Sequence, residues 1–262
     1  MIKTAKINDI EMDYAVFGNG EKPFVIIPGL SIKSVLLSAD AVEHAYSRFK
    51  KDYTVYVIDR RKAVPEDYTI TRLADDTALV MRSLGIENAC LFGASQGELT
   101  SICIAGRHPE LVGKLAVGSA VLRETESFSK TLKTWTALAK AGDTQALARS
   151  MAKLVFSEKI YERVGDTFVK LNSGLTSEEL DRFIALASAK VGESVAESAA
   201  KIICPALVIG SEGDVITGGE AAKELAQAID GAELYIYGKE YGHAVYDEAP
   251  DYKERLLEFF GK

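Results

Sequence analysis

Six short apolar runs, separated by segments of helical periodicity, leave this chain few ways to fold: FVII at 24–27, YTVYVI at 53–58, NACLF at 88–92, KLAVGSA at 114–120, ALVIG at 206–210 and ELYIY at 233–237. A run that is apolar at consecutive positions suits a strand covered on both faces; a strand with one wet face alternates instead. Between the runs lie stretches such as TRLADDTALVMRSLG, apolar at 73, 80, 81 and 84, and the terminal EAPDYKERLLEFF. Strand and helix in alternation call for a mostly parallel sheet joined by right-handed crossovers. The expected class is α/β. Ahead of the first run, residues 4–17 alternate polar and apolar positions about a polar turn and predict a β-hairpin.

The alternation stops between about 122 and 201. No convincing strand occurs there, and ETESFSKTLKTWTALAKAG, TQALARSMAKLVF, KIYERVGDTFVKL and SEELDRFIALASAK predict helices. The chain therefore divides into an α/β core of 1–121 and 202–262 with a helical insertion of 122–201. An insertion leaving the sheet after one strand and returning before the next should stand over the strand ends, where open α/β sheets bind ligands. Residues 185–200 are rich in Ala and Ser, a composition open to mobility.

A length of 262 residues and a hydrophobic content of 47% suffice for one substantial core. The net charge of -7 opposes binding to phosphate backbones and anionic membranes, so nucleic acid and membrane are not expected partners. The opening MIKTAKINDIEMDY lacks the basic start and apolar stretch of a secretion signal, and cytoplasmic residence is expected. Cys90, Cys103 and Cys204 are odd in number, far apart and set among apolar neighbours, which predicts reduced core residues. With His44, His108 and His243 the only histidines, and no paired spacing among them, no metal site is expected. Composition leaves the oligomeric state open.

LFGASQGELTS at 91–101 sets Ser95 between Gly93 and Gly97 directly after an apolar run and before a segment able to start a helix. Such a turn strains the serine backbone, and the glycines are needed because side chains there would collide across it. Taken alone, the same pattern also fits a helix N-cap serine. A serine hydroxyl becomes a competent nucleophile when a neutral imidazole accepts its proton, and His243 is the histidine placed just after a late strand. Asp214 in SEGDVIT is a candidate to orient that imidazole, with Glu212 as a rival and a simple turn as the plainer role.

VIIPGL, LFGASQG with RHPELVGKLAVGSA, and ALVIGSEGDVIT followed by YGHAVYDEAPDYKERLLEFF together resemble the α/β-hydrolase fold family over nearly the whole chain outside the insertion. Ser95, Asp214 and His243 follow that family's order of nucleophile, acid and histidine. The resemblance implies Ser95, Asp214 and His243 as a catalytic triad, and the backbone N–H groups of Leu30 and Gln96 as the oxyanion hole. It implies no cofactor, and it makes the insertion a cap with Trp135, Met151 and Phe156 as candidates to touch substrate. The implied activity is hydrolysis of an ester or related carboxylic acid derivative of a small molecule through an acyl-enzyme. Carbon–carbon bond hydrolysis, acyl transfer, perhydrolysis and a small-molecule receptor are alternatives on the same framework. Pro28-Gly29 replaces the family's usual His-Gly, Glu98 replaces a second glycine after the serine, and DRRKAVPEDYT replaces an Asp-x-Arg-Gly-x-Gly loop. Arg60, Arg61 and Lys62 in that last stretch are expected to form a solvated loop, with an anionic substrate group as the sharper alternative.

Overall fold

The computed structural model describes residues 2–119, 121–189 and 194–262. A hairpin of β1 (Ile2–Ile7) and β2 (Ile10–Gly18) turns at Asn8, whose φ of 54° is left-handed, a conformation that asparagine tolerates better than most residues. Next come β3 (Lys22–Ile27), α1 (Ala39–Ala45), β4 (Tyr53–Arg61), α2 (Ile70–Ser83), β5 (Ala89–Ala94), α3 (Gln96–Arg107) and β6 (Val112–Gly118). Four helices follow: α4 (Glu126–Lys140), α5 (Thr144–Val155), α6 (Glu158–Asn172) and α7 (Ser177–Ala187). After α8 (Ser194–Ala199) the chain returns to the sheet through β7 (Ala206–Ser211), α9 (Ala221–Ala228), β8 (Glu233–Tyr237), α10 (Val245–Glu248) and α11 (Tyr252–Gly261).

The eight strands form one sheet in the order β1-β2-β4-β3-β5-β6-β7-β8. β1 with β2 and β2 with β4 are antiparallel; every later pair is parallel. Each of the six apolar runs contributes to a strand, and except in β8, a largely exposed edge strand, the reason is visible in its burial. Along β3, Val25 and Ile27 join one core cluster while Phe24 and Ile26 join another on the opposite face. β5 and β7 behave alike, with Leu91 and Val208 on the first face and Phe92, Leu207 and Ile209 on the second. Strands with both faces buried have no position left for a polar residue, which is why the pattern is continuous instead of alternating. The second face centres on Phe24, whose ring meets Tyr46, Phe49, Tyr53 and Phe260 at centroid distances of 4.9–6.1 Å.

β4 runs on to Arg61, past the point where its apolar run ends. Arg60 and Arg61 are only 4% and 6% exposed, so the expected solvated loop does not form at these two positions. Two of the three neighbouring charges are met by carboxylates: Arg61 pairs with Asp9 at 2.6 Å and Asp76 at 3.4 Å, and Lys62, at the half-exposed end, pairs with Glu11 and Asp13. Capping residues start the helices of the insertion. Thr125, Asp143 and Thr176 each accept a backbone N–H with their side chains, and Glu179 closes a capping box with Thr176. Trp135, Leu147, Met151 and Phe183 from these helices join the same cluster as Val25, Leu91 and Val117 from the sheet. The Ala- and Ser-rich stretch is α8 at its C-terminal end, where Ser198 backbone lies against Gly106 of α3. Its residues 190–193 fall outside the described residues, as does Ala120 of the KLAVGSA run.

Candidate active site

Ser95 sits between β5 and α3 with φ 54° and ψ -124°, a left-handed conformation that a serine adopts only under constraint. The ladder holds it from one side, where its N–H donates to the Gly118 carbonyl at 2.8 Å. Close packing holds it from the other: a Cβ on Gly97 would overlap the carbonyl oxygens of Ile27 and Pro28, and one on Gly93 would overlap Gly97. α3 can thus begin directly against the end of β3 only with glycine at 97. Glu98, the departure in this turn, is buried in the first turn of α3, where a carboxylate complements the helix dipole.

His243 lies in the loop between β8 and α10. Its Nε2 is 2.9 Å from Ser95 Oγ and its Nδ1 is 2.8 Å from Asp214 Oδ2. Asp214 follows β7 and is buried with it. Its Oδ1 accepts the backbone N–H groups of Ile216 and Thr217 at 2.9 and 3.0 Å, and its Oδ2 accepts the Thr217 hydroxyl at 2.5 Å. Burial acts to raise the carboxyl pKa, but the charge of His243 and the hydrogen bonds from His243 and Thr217 outweigh it and hold the group below the usual Asp range. Asp214 is therefore an ionised acceptor fixed in place by its own turn. Glu212, two residues earlier, is exposed.

Leu30 follows Gly29, where a Cβ would lie 3.2 Å from the Cβ of Ser95, so the Pro28-Gly29-Leu30 loop borders the serine. Gln96 is the first residue of α3; its backbone N–H belongs to the helix-start donors that have no intrahelical acceptor. The Gln96 side chain reaches the insertion, with Nε2 donating to the Leu186 carbonyl of α7 at 2.7 Å. Trp135 and Met151 are buried among the helices of the insertion, and Trp135 Nε1 donates to Ser150 Oγ at 3.2 Å. Phe156 caps the end of α5, edge to face with Phe168, and its backbone borders Gly242 beside the histidine.

Sequence reasoning gave no role to Glu248 of α10, yet this residue ties the histidine loop down. Its two carboxylate oxygens accept the backbone N–H groups of Ser157 at 2.7 Å and of Gly242 at 3.2 Å, and Ala244 N–H donates to the Val155 carbonyl at 2.9 Å. Thr217 was likewise missed, although Asp-x-x-Thr is a capping-type spacing. The thiols of Cys90 and Cys103 are buried, which pushes both up to about 11, and all three cysteines are free.

No family model matches the chain. It is 21% identical over 263 residues to the serine hydrolase BPHL of Mus musculus, covering 97% of this chain and 84% of that protein. To the 3-oxoadipate enol-lactonase 2 of Acinetobacter baylyi it is 24% identical over 222 residues, covering 82% and 80%. The crystal structure of an alpha/beta hydrolase enzyme from a Medee basin deep-sea metagenome library superposes with a TM-score of 0.88 at 24% identity, over 99% of this chain and 98% of that one. Among the described residues no helix is long and apolar enough to cross a membrane. The sheet order, the strained serine turn between β5 and α3, and these similarities agree, and the chain has the α/β-hydrolase fold.

Proposed function

We propose that this protein is a serine hydrolase that cleaves an ester or a related carboxylic acid derivative of a small molecule through an acyl-enzyme on Ser95. The observation that carries this reading is the hydrogen-bonded chain from Ser95 Oγ through His243 to Asp214. With Nδ1–H donated to the ionised Asp214, the neutral imidazole offers Nε2 as the base for the serine proton. Ser95 Oγ attacks the substrate carbonyl carbon as its proton passes to Nε2. The tetrahedral oxyanion accepts the backbone N–H groups of Gln96 and Leu30, each worth about 2.7–4 kcal/mol of barrier. Collapse expels the leaving oxygen, which takes the proton from the imidazolium. Water then repeats the sequence on the acyl-enzyme, releasing the acid and restoring Ser95.

In this reading the insertion of 122–201 acts as a cap that shapes the acyl pocket, with Phe156, Trp135 and Met151 as its candidate walls. An apolar wall favours small or medium acyl and aryl esters. Fluorophosphonate labelling located on Ser95, together with turnover of p-nitrophenyl esters, tests the mechanism. S95A and H243A are each expected to lower turnover by several orders of magnitude with the fold intact, because nucleophile and base act as a unit. Retention of most turnover by S95A overturns it.

A further inference from the structure

Arg60 is a buried cation at the end of β4 that the chemistry above leaves unused. Its Nη2 donates to the carbonyl of Pro28, in the loop that borders the serine. Its Nε and Nη1 are buried and have no hydrogen-bond partner among the described residues. Burial draws its pKa down to about 10, which still leaves it cationic at neutral pH.

The charged groups that act on Arg60 are Asp59 and Arg182, with the Tyr68 hydroxyl nearby. None is free to neutralise it. Asp59 Oδ1 pairs with Arg182 at 3.2 Å and accepts the Arg60 backbone N–H at 2.7 Å, while Oδ2 accepts the Ser34 hydroxyl at 2.6 Å. Tyr68 donates to Asp76, which serves Arg61. Two guanidinium groups thus face one carboxylate, an excess of one positive charge at a place where Arg60 is buried and the Arg182 side chain is 18% exposed. A buried charge lacking a counter-ion is strongly unfavourable, and five N–H donors on a planar fork suit a carboxylate. Gln96 Oε1, at the serine turn that the Pro28 loop borders, is a second buried polar atom without a partner. An apolar wall adjoins this position: Leu30 packs against Tyr68, Leu73 and Leu186.

We propose that Arg60 receives the carboxylate of an anionic substrate, so that the preferred substrates are monoesters of short dicarboxylic acids rather than neutral acyl esters. The proposal rests on the serine hydrolase reading and adds the charge of the acyl chain. A singly charged carboxylate balances the excess, whereas a dianionic phosphate would overshoot it.

Pairs of p-nitrophenyl esters matched in length, hydrogen glutarate against valerate and hydrogen succinate against butyrate, provide the test. The wild-type protein is expected to favour the carboxylate by about 10- to 100-fold in kcat/KM, the range of one hydrogen-bonded charge pair. R60M should lower that ratio by a similar factor through KM, and R60K should restore part of it. A wild-type preference for the neutral ester, or equal losses on both esters in R60M, overturns the proposal and makes Arg60 a support for the Pro28 loop only. If R60M does not fold, inhibition of the wild type decides: glutarate competing with ester while glutaramide does not supports the site, and equal inhibition rejects it. Absence of both ester turnover and Ser95 labelling counts against the hydrolase reading instead. In that case calorimetric binding of glutarate to the wild type, absent with glutaramide and weakened in R60K, still supports the anion site, and no glutarate binding rejects it.

Discussion

At Asp214 one carboxylate does two jobs with separate oxygens. Oδ1 closes the turn after β7, and Oδ2 faces His243 and Thr217. D214N keeps the shape but replaces one acceptor oxygen with a donor amide, favouring the wrong imidazole tautomer. We expect ester turnover to fall by on the order of 10³- to 10⁴-fold, less than in S95A, while E212Q stays near wild type because Glu212 faces solvent. A larger loss in E212Q than in D214N would reassign the acid. The depressed pKa also gives a pH signature. A carboxyl lowered on folding contributes stability that is fully present above its unfolded pKa of about 3.9 and is lost as pH falls through the lower folded value. Melting temperature should therefore decline less steeply in D214N than in wild type as pH falls from about 5 toward 2, and parallel slopes would refute the assignment of that acid limb to Asp214.

Helices and loops decide whether these side chains stay in register. The histidine loop has little regular structure of its own and is held by contacts to the α5–α6 junction, Glu248 bridging Gly242 and Ser157 while Ala244 bonds Val155. Two elements far apart in the chain thus share one carboxylate. E248A leaves two part-buried backbone N–H groups without that acceptor and loosens the imidazole relative to Ser95. We expect kcat to drop about 10- to 100-fold with KM changed little, since sub-ångström misplacement of a base acts on the reacting state. E248Q, which keeps an acceptor oxygen, should recover part of the loss. Unchanged kcat in E248A would mean that packing alone positions the loop.

Over the whole molecule the insertion and the sheet share one core. Trp135, Leu147, Met151 and Phe183 lie in the same buried cluster as Val25, Leu91 and Val117. Elements joined by such burial should unfold together. Trp135 is the chain's single tryptophan and reports the insertion, while far-ultraviolet circular dichroism reports the backbone as a whole. The two denaturation curves are expected to coincide, and W135A should cost about 3–5 kcal/mol of the common transition. Separate midpoints would mean that the insertion is a separable folding unit.

The sequence by itself determined the α/β class, the positions of the strands and the residue types brought to the site. Strands buried on both faces must be continuously apolar, and Gly-x-Ser-x-Gly after such a strand leaves few backbone paths. These are local consequences of burial and sterics. β4 shows where local reasoning ended: Asp59 and Arg61 look like loop residues until Arg182 arrives to pair with the first and Asp9 and Asp76 with the second. Only the tertiary structure decided that Asp214, not Glu212, meets His243, and that Glu248 and Gln96 tie the site to the insertion. Ser95 and His243 are 148 positions apart, and their 2.9 Å separation exists because the sheet order aligns the ends of β5, β7 and β8. Hydrogen bonds and charge pairs between distant segments depend on distances that a linear pattern does not encode, whereas hydrophobic period and turn sterics are written within a few residues.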